Sequence, residues 1–468
     1  MVGRGFVLGF VLLLGVSVSE LLGQQALSPE MRGKVDAAVK QVMEKTGVPS
    51  ASVGIVQGGR VVYTEAFGRA RLSPELMAKP EMHYAVGSIS KQFTAACVLL
   101  LAEDGKLTLD DPVSKWFPEL TRANEVTVRN LLTHTSGYED YAPQDYTIPA
   151  WTKAIKPLEL VHTWAGKPLD FDPGTKWQYS NTNFELAGLI VEKASGMPFW
   201  RFLETRVLKP LGLKEVLNLD TDRRRMEPSG YMRNALGPLR PTKLEAPGWY
   251  FADGALSMPV ETLLRWDISV MDQTLLTPAS YAAFEQEMKL KDGTGTSYGM
   301  GVSVGVRNGR RVVSHTGEVG GFVAANAVYP DDKVAVAVLT NQEASSTAGQ
   351  IQRAIAALVL PVAASGDHAE AEAQVKAVLT GLQQGKIDRG LFTADCNFYF
   401  TQETIGDFQS SLAPLGEVKT VTEGGESLRG GMTFRSFVVG FSGGTAVTVT
   451  TYTTSDGKLE QFLVEGKS

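Results

Sequence analysis

Ser88 and Lys91 are a pair of residues whose types and spacing could carry chemistry. Residues three apart on a helix lie on one face, so the serine hydroxyl and the lysine amine can come within hydrogen-bond distance. Lysine is a poor base at its reference pKa of about 10.4. Burial in the apolar run AACVLLL and a cationic neighbour would lower that pKa, and the amine could then take the serine proton. The pair therefore predicts a nucleophilic serine at the start of a helix over 88–103.

The Ser-x-x-Lys spacing is not specific by itself, because it recurs at Ser455 and Lys458 in the turn sequence SDGK. A first companion of the earlier pair is Tyr179 with Asn181, just before a helix predicted over 182–194. A phenol can move protons, and an amide can hold both a substrate carbonyl and the lysine. The alternative is a packed tyrosine followed by an asparagine that caps the helix.

A second companion is the run His315, Thr316 and Gly317, which we expect at the end of the strand RRVVSH. A strand edge can pair with an extended, peptide-like substrate, and a glycine permits close approach of the backbone. The alternative is a strand end that runs into the glycine turn EVGG. Only the three motifs together indicate an active site.

These three motifs resemble those of the penicillin-recognising serine hydrolases, which include serine β-lactamases, D-alanyl-D-alanine carboxypeptidases and their relatives. The form Tyr-Ser-Asn resembles the class C β-lactamase branch with its esterases and D-aminopeptidases. The order and spacing of the motifs agree, as do phrases such as VTVRNLLTHTSG and FDPGTKWQYSNTNFELAGLIVEKASG. The resemblance spans about residues 30–360 and does not cover the C-terminal segment.

The resemblance implies a role for each residue of the first two motifs. Ser88 would be the acylated nucleophile, and Lys91 and Tyr179 would share general acid–base duty. Asn181 would position the substrate and the lysine. Which of the two basic groups deprotonates the serine stays open. No metal or organic cofactor is implied.

On the strand side, the resemblance implies substrate contacts from His315, Thr316 and Gly317. It also implies an oxyanion hole built from the backbone N–H groups of Ser88 and Glu318. The sequence departs from the family here, because His315 replaces the usual lysine. A histidine with a pKa of about 6.5 is mostly neutral at pH 7, and Glu318 adds negative charge. Both changes weaken recognition of an anionic group such as the β-lactam carboxylate.

The residues thus predict a serine hydrolase that acts through an acyl-enzyme on small molecules or short peptides. We expect a peptidase of the D-amino-acid type or an esterase. The alternatives are a class C-like β-lactamase or D,D-carboxypeptidase, and a non-hydrolytic receptor for penicillin or cell-wall peptides. A Ser-His-Asp mechanism through His134 is a rival to the lysine chemistry, although a packing or capping histidine is the safer interpretation.

The element pattern predicts an α/β (α+β) fold of the β-lactamase/transpeptidase type. Two strands flank Gly58-Gly59, and about four more follow residue 297, with a hairpin turn at Asn308-Gly309. We expect them to share one antiparallel sheet that is flanked by helices. An all-α lobe is predicted over about 106–265, and its aromatic residues are interpreted as core.

The chain is expected to divide into a leader, two domains and a linker between them. The expected ranges are a signal peptide over 1–23, a serine hydrolase domain over 28–360, a linker over 361–368 and a C-terminal α+β accessory domain over 369–468.

The first residues contain one arginine and then an apolar run too short to span a bilayer comfortably, which is typical of a signal peptide. We therefore expect export to the periplasm or the medium, with no stable membrane insertion after cleavage; an uncleaved anchor is the alternative. A net charge of −6 without a basic stripe argues against nucleic acid as a partner. Cys97 and Cys396 are expected to be buried free thiols. The oligomeric state stays open.

Overall fold

The computed structural model describes residues 26–144, 147–235, 237–360, 367–429 and 432–466. The expected signal peptide lies outside these ranges, as does most of the expected linker, so both stay predictions. Within the described ranges, no helix is both long and apolar enough to cross a bilayer.

Helices and strands alternate along the chain. The helices are α1 Pro29–Thr46, α2 Ser90–Glu103, α3 Val128–Leu132, α4 Pro157–Trp164, α5 Asn181–Ser195, α6 Phe199–Leu203, α7 Val260–Asp272, α8 Pro278–Glu285, α9 Thr347–Val359, α10 Asp367–Gln383, α11 Ala394–Tyr399 and α12 Gln402–Leu412. The strands are β1 Ser50–Gln57, β2 Arg60–Leu72, β3 Glu75–Met77, β4 Tyr84–Ala85, β5 Leu217–Asn218, β6 Tyr231–Arg233, β7 Leu239–Pro241, β8 Leu256–Met258, β9 Ser303–Arg307, β10 Arg310–Val319, β11 Phe322–Tyr329, β12 Val334–Thr340, β13 Val418–Arg429, β14 Met432–Phe441, β15 Ala446–Thr453 and β16 Leu459–Gly466.

Seven antiparallel strands form the main sheet, in the order β3-β2-β1-β12-β11-β10-β9. The antiparallel sheet predicted from the sequence is confirmed, with the short edge strand β3 as an addition. The predicted hairpin between β9 and β10 turns at Asn308 and Gly309, which both have positive φ. β11 and β12 are buried along their whole length, as expected for central strands covered on both faces.

Helices cover both faces of the main sheet. α1 and α9 pack on one face and share its apolar core with residues such as Val53 and Val336. α7 packs on the other face, where the core continues into α2 and the helical lobe. Ser28 caps α1 by accepting a hydrogen bond from the Met31 N–H, and Gly47 ends that helix in the left-handed conformation.

The lobe over about 106–265 is not purely helical, so this part of the prediction is wrong. β8 pairs with β4 and β5 in a small sheet, and β6 pairs with β7. These strands have two or three residues each, which is too short for an alternating pattern to show in the sequence. The small sheet matters because β4 leads into Ser88 and β8 follows Asp253.

The residues beyond 366 pack around an apolar core of their own. A four-stranded antiparallel sheet, β13-β14-β15-β16, packs against α10 and α11, and α12 packs on α10. The three helices and four strands give this part of the chain the predicted α+β character. Cys97 and Cys396 are both buried free thiols, as expected.

Candidate active site

Ser88 lies in a single 3-10 turn, Gly87–Ile89, immediately before α2. This turn packs directly on β10. A Cβ added to Gly87, whose φ is 51°, would lie 2.6 Å from the Glu318 nitrogen, and one added to Gly317 would lie 1.9 Å from the Val86 oxygen. Glycine is therefore required on both sides of the contact. The approach brings the backbone N–H groups of Ser88 and Glu318 next to each other, where the resemblance places the oxyanion hole.

Lys91 is completely buried, and its amine faces three oxygen atoms. Nζ donates hydrogen bonds to Ser88 Oγ at 2.9 Å, to Asn181 Oδ1 at 2.7 Å and to the Asp253 carbonyl at 3.0 Å. An ammonium group has three donors, and each one has an acceptor here. The spacing prediction that joins Ser88 to Lys91 thus agrees with the geometry.

The charge state expected for Lys91 is wrong. A cationic neighbour was expected to lower the pKa of Lys91, but the amine lies 3.6 Å from the Asp253 carboxylate. Burial alone would lower the pKa of Lys91, yet the acidic groups around it, Tyr179, Asp253 and Asp140, outweigh that effect and raise it. Lys91 is therefore an ammonium in the resting protein.

Asn181 is held in one orientation by Asp140, a residue that the sequence did not single out. The Asn181 backbone N–H donates to Asp140 Oδ1 at 2.9 Å, and its side-chain Nδ2 donates to the same oxygen at 3.1 Å. With Nδ2 on the carboxylate, Oδ1 must face Lys91. Asn181 is the first residue of α5 and does not cap it, since Ser180 stands at the cap without a side-chain bond. The capping alternative is therefore wrong.

Tyr179 brings its ring and hydroxyl to the same place. Lys91 Nζ lies 5.1 Å from the centre of the Tyr179 ring. The hydroxyl is buried and interacts with Lys91 and Ser88, which places it beside the nucleophile. Burial raises the pKa of Tyr179, while the Lys91 cation opposes that rise. The tyrosine is therefore a neutral phenol in the resting protein.

His134 packs under Tyr179, with the two ring centres 4.2 Å apart. Its Nδ1 accepts a hydrogen bond from the Ser180 backbone N–H at 3.2 Å, which fixes the loop that carries Tyr179. Burial lowers the pKa of His134 well below its usual range. A neutral histidine that contacts the tyrosine and its loop fits the packing role and gives no support to the Ser-His-Asp alternative.

His315, Thr316 and Gly317 lie within β10 and not at its end, which corrects the predicted strand boundary. β9 pairs with β10 only as far as Ser314, so the β9-side edge beyond Ser314 faces the turn that carries Ser88. The strand continues because β11 pairs with it through Val319. The residues that were expected to pair with a substrate at the end of a strand therefore lie in the middle of β10.

His315 is neutral at physiological pH. Its Nε2 accepts a hydrogen bond from the Tyr298 hydroxyl at 2.8 Å, and its Nδ1 donates to the Thr316 carbonyl at 2.5 Å. Burial lowers the pKa of His315 to about 4. The histidine therefore cannot supply the positive charge that the family's usual lysine carries at this position.

An open cleft of about 980 Å³ lies above Ser88. Its described lining is rich in carboxylates and aromatic rings, and Arg353 is the one lysine or arginine in it. The acidic lining residues are Asp140, Glu245, Asp253, Glu318 and Glu343. The aromatic ones are Tyr141, Trp151, Trp177, Tyr179, Trp249 and Tyr250. Several lobe aromatics that were interpreted as core thus form a cleft wall as well.

Comparison with known proteins gives a family match over most of this structure. The β-lactamase family model matches residues 35–360. The chain belongs to the β-lactamase family. Members of this family are serine hydrolases, so the resemblance found in the motifs and the expected fold are both confirmed.

Relatives of this family member include penicillin-binding proteins and amidases. Penicillin-binding protein 4* of Bacillus subtilis is 28% identical over 312 residues, which cover 63% of this chain and 68% of that protein. The D-stereospecific amidohydrolase from Streptomyces sp. has a TM-score of 0.59 and 28% identity, covering 70% of this chain and 99% of its own. The octameric penicillin-binding protein homologue from Pyrococcus abyssi has a TM-score of 0.62 and 21% identity, covering 93% of this chain and 98% of its own. At 21% identity, the likeness to the Pyrococcus abyssi protein shows a shared fold, and this fold extends past residue 360.

Proposed function

We propose that this protein is an exported serine hydrolase that forms an acyl-enzyme on Ser88 and acts on short peptides or amides of D-amino acids, or on small esters. The observation that carries the proposal is the 2.9 Å contact between Lys91 Nζ and Ser88 Oγ, with Asn181 on the same amine. Ser88 is only half-buried, so a substrate in the cleft can reach its hydroxyl.

The reaction follows from the groups that meet at Ser88. Its Oγ attacks the substrate carbonyl carbon, and the serine proton passes to the Lys91–Tyr179 pair. The N–H groups of Ser88 and Glu318 stabilise the oxyanion of the tetrahedral intermediate. The pair returns the proton to the leaving amine or alcohol as the C–N or C–O bond breaks, and water then releases the acyl group.

The resting charge state limits which group can act as the base. Lys91 as an ammonium has no lone pair, and Tyr179 as a phenol is a weak acceptor. One proton must therefore leave the pair before Ser88 can be deprotonated. The geometry gives both groups access to that proton, and either assignment is compatible with the contacts.

The charge of the cleft favours a neutral or cationic substrate over an anionic one. Glu245 and Glu343 accept hydrogen bonds from the backbone N–H groups of Gly320 and Gly321, just beyond β10. His315 adds no positive charge on the strand side. A substrate with a free amino group therefore gains favourable electrostatics, whereas a penicillin carboxylate does not. The similarity to the D-stereospecific amidohydrolase from Streptomyces sp., at 28% identity, supports amides of D-amino acids as substrates.

A panel of chromogenic substrates tests the reaction and its preference. Nitrocefin, p-nitrophenyl butyrate and the p-nitroanilides of D-Ala and L-Ala are offered to the wild type and to Ser88→Ala. Ser455→Ala is the matched control, because it removes the serine of the second Ser-x-x-Lys tetrad. We expect the wild type to turn over the D-anilide or the ester. Ser88→Ala should lose this activity, and Ser455→Ala should keep it. Full activity of Ser88→Ala would overturn the proposal.

A time course with a fluorescent penicillin separates the hydrolase from a non-hydrolytic receptor. A label that stays on Ser88 indicates a receptor, and a label that disappears indicates turnover as in a β-lactamase or carboxypeptidase. Absence of label together with anilide or ester cleavage supports the peptidase or esterase. Export is tested separately, by fractionating cells and sequencing the mature N-terminus. A protein that stays in the cytoplasm with residues 1–23 intact would contradict that part.

A further inference from the structure

Two carboxyl groups, those of Glu185 and Asp253, lie buried behind Lys91. Their residues are 0% and 3% exposed. Asp253 Oδ2 lies 3.6 Å from Lys91 Nζ and accepts a hydrogen bond from the Tyr141 hydroxyl at 3.1 Å. Glu185 lies on α5, and its Oε1 accepts a hydrogen bond from the Ala252 backbone N–H at 3.1 Å. These two carboxyls lie outside the three motifs and have no role in the proposed reaction.

One oxygen of each carboxyl lacks a donor among the described residues, namely Oε2 of Glu185 and Oδ1 of Asp253. Glu185 is held beside Asp253, because the N–H that its Oε1 accepts belongs to Ala252, the preceding residue. Two ionised carboxylates in a dry contact repel, and neither has a hydrogen to donate, so one of the two must be protonated. The unpaired oxygens are thus explained if they share one proton.

The position of the charges indicates which carboxyl holds that proton. Asp253 faces the Lys91 ammonium, which stabilises a negative charge on it, and it shares the Tyr141 hydroxyl proton with the Trp249 carbonyl. Glu185 has only one backbone N–H beside it. Burial and the Asp253 charge raise the pKa of Glu185 well above its usual range. Burial also raises the pKa of Asp253, but the Lys91 cation opposes this and leaves it at about 6.

We infer that Glu185 is a positioning residue that donates, as a neutral acid, to the Asp253 carboxylate, so that this carboxyl pair presents one negative charge to Lys91 and not two. The inference rests on the proposed function, because its consequence is the pH at which the Lys91–Tyr179 pair loses a proton. A second charge on the pair would hold the ammonium more firmly, and loss of both charges would leave the buried cation with Asp140 as its remaining carboxylate neighbour.

Other titratable groups also face this cluster. Asp140 and Tyr179 lie around Lys91, and Tyr141 lies on Asp253. His134 and His315 feel the Lys91 cation, and Asp220 lies behind Glu185. None of these groups changes in the variants used below, so a shift between variants reports the carboxyl pair.

The test measures how fast a fluorophosphonate probe labels Ser88 at different pH values. In that step the serine Oγ forms a bond to phosphorus, fluoride leaves, and the serine proton passes to the Lys91–Tyr179 pair. The probe avoids the need to know the natural substrate. Wild type is compared with Glu185→Gln, which keeps a donor to Asp253 without a charge, and with the double variant Glu185→Gln/Asp253→Asn. Asp267→Asn is the matched control, because Asp267 is a buried carboxyl that bonds Asn326 away from this pair.

We expect the rising limb of the pH profile to stay at the wild-type position in Glu185→Gln and in Asp267→Asn. In the double variant it should move to lower pH by about one unit or more, because the carboxylate 3.6 Å from Lys91 is gone and Asp140 alone remains. A limb that moves in Glu185→Gln as far as in the double variant would show that Glu185 is ionised. A limb that does not move in the double variant would show that the pair does not control Lys91. Either result overturns the inference.

Infrared spectroscopy gives a second measurement that needs no activity. A protonated carboxyl band at neutral pH should be present in the wild type, and one component should vanish in Glu185→Gln. Asp267→Asn should lose a different component, because burial raises the pKa of Asp267 to about 8. Persistence of the full band in Glu185→Gln would contradict the inference even if the double variant fails to fold. A wild type that the probe does not label at Ser88 instead contradicts the proposed function, which keeps the two failures apart.

Discussion

The chain contains two Ser-x-x-Lys tetrads, and their surroundings differ completely. Lys91 is buried and donates to three oxygens, one of which is Ser88 Oγ at 2.9 Å. Ser455 and Lys458 are exposed in a hairpin turn, where the Thr454 N–H donates to the Lys458 carbonyl at 2.9 Å. The spacing only permits the contact. Burial and the neighbours on α5 and β10 make it a site.

Loss of the buried amine should have the largest effect and tests this comparison most severely. Lys91→Met keeps the apolar stem but removes the group that contacts Ser88 and Asn181. We expect kcat/KM to fall about 10³-fold or more, as for loss of a general acid–base group. Lys458→Met, the same change in the exposed tetrad, should leave kcat/KM unaltered. Equal effects of the two variants would remove the distinction between the tetrads.

The pH dependence should sharpen the comparison, because burial among acidic groups determines the charge of Lys91. Its pKa is raised, so the protonated and inactive form dominates at neutral pH. The active form increases as the pH rises, and kcat/KM should climb by about tenfold per unit on the alkaline side until the pair loses its proton. His315, with a pKa of about 4, should contribute no limb between about pH 5 and 8. A kcat/KM that falls as the pH rises above neutral would contradict an ammonium on Lys91 in the resting protein.

Asp140 tests whether the neighbours of Lys91 must be held in place. Asp140→Ala frees Asn181 to rotate its amide, so that Nδ2 can face the ammonium. We expect kcat to drop about 10- to 100-fold, as for loss of a group that orients a ligand residue. Asp170→Ala is the control, because Asp170 is exposed, does not line the cleft and accepts a hydrogen bond from Gln178 and not from Asn181. Rescue in Asp140→Asn but not in Asp140→Leu would support orientation over bulk packing.

The smallest effect is expected at His315 on β10, the strand that lies beside Ser88. His315→Lys restores the cation that the family usually has at this position. Nitrocefin turnover should rise about tenfold, which corresponds to roughly 1.4 kcal/mol of transition-state stabilisation. Turnover of p-nitrophenyl butyrate, which has no carboxylate, should not rise. Unchanged nitrocefin turnover would show that the neutral histidine does not explain substrate preference.

The sequence predicted the residues that carry short, ordered motifs. Ser88, Lys91, Tyr179 and Asn181 converge as expected, since their spacing fixes which helix and loop present them. The main sheet was also predictable, because turns such as Asn308-Gly309 separate runs with clear strand patterns.

The sequence could not predict the acidic groups around Lys91. Asp140 lies 41 positions from Asn181, Glu185 lies 67 positions from Ala252, and Asp253 lies 162 positions from Lys91. Nothing local in the sequence marks a carboxyl that will be buried. The expected fall in the Lys91 pKa was wrong for this reason, since its sign depends on those distant charges. The strands β5 to β8 were missed because two or three residues show no period.

Identification of the residue that a fluorophosphonate probe modifies is the most direct test of the central claim. Wild type and Lys91→Met are treated with the probe, digested, and mapped by mass spectrometry. The account predicts one adduct, on Ser88 within the peptide that carries YAVGSISK, formed quickly in the wild type and at least about 10²-fold more slowly in Lys91→Met. An adduct on Ser455 or another serine, or labelling of Ser88 at equal speed in both proteins, would contradict it.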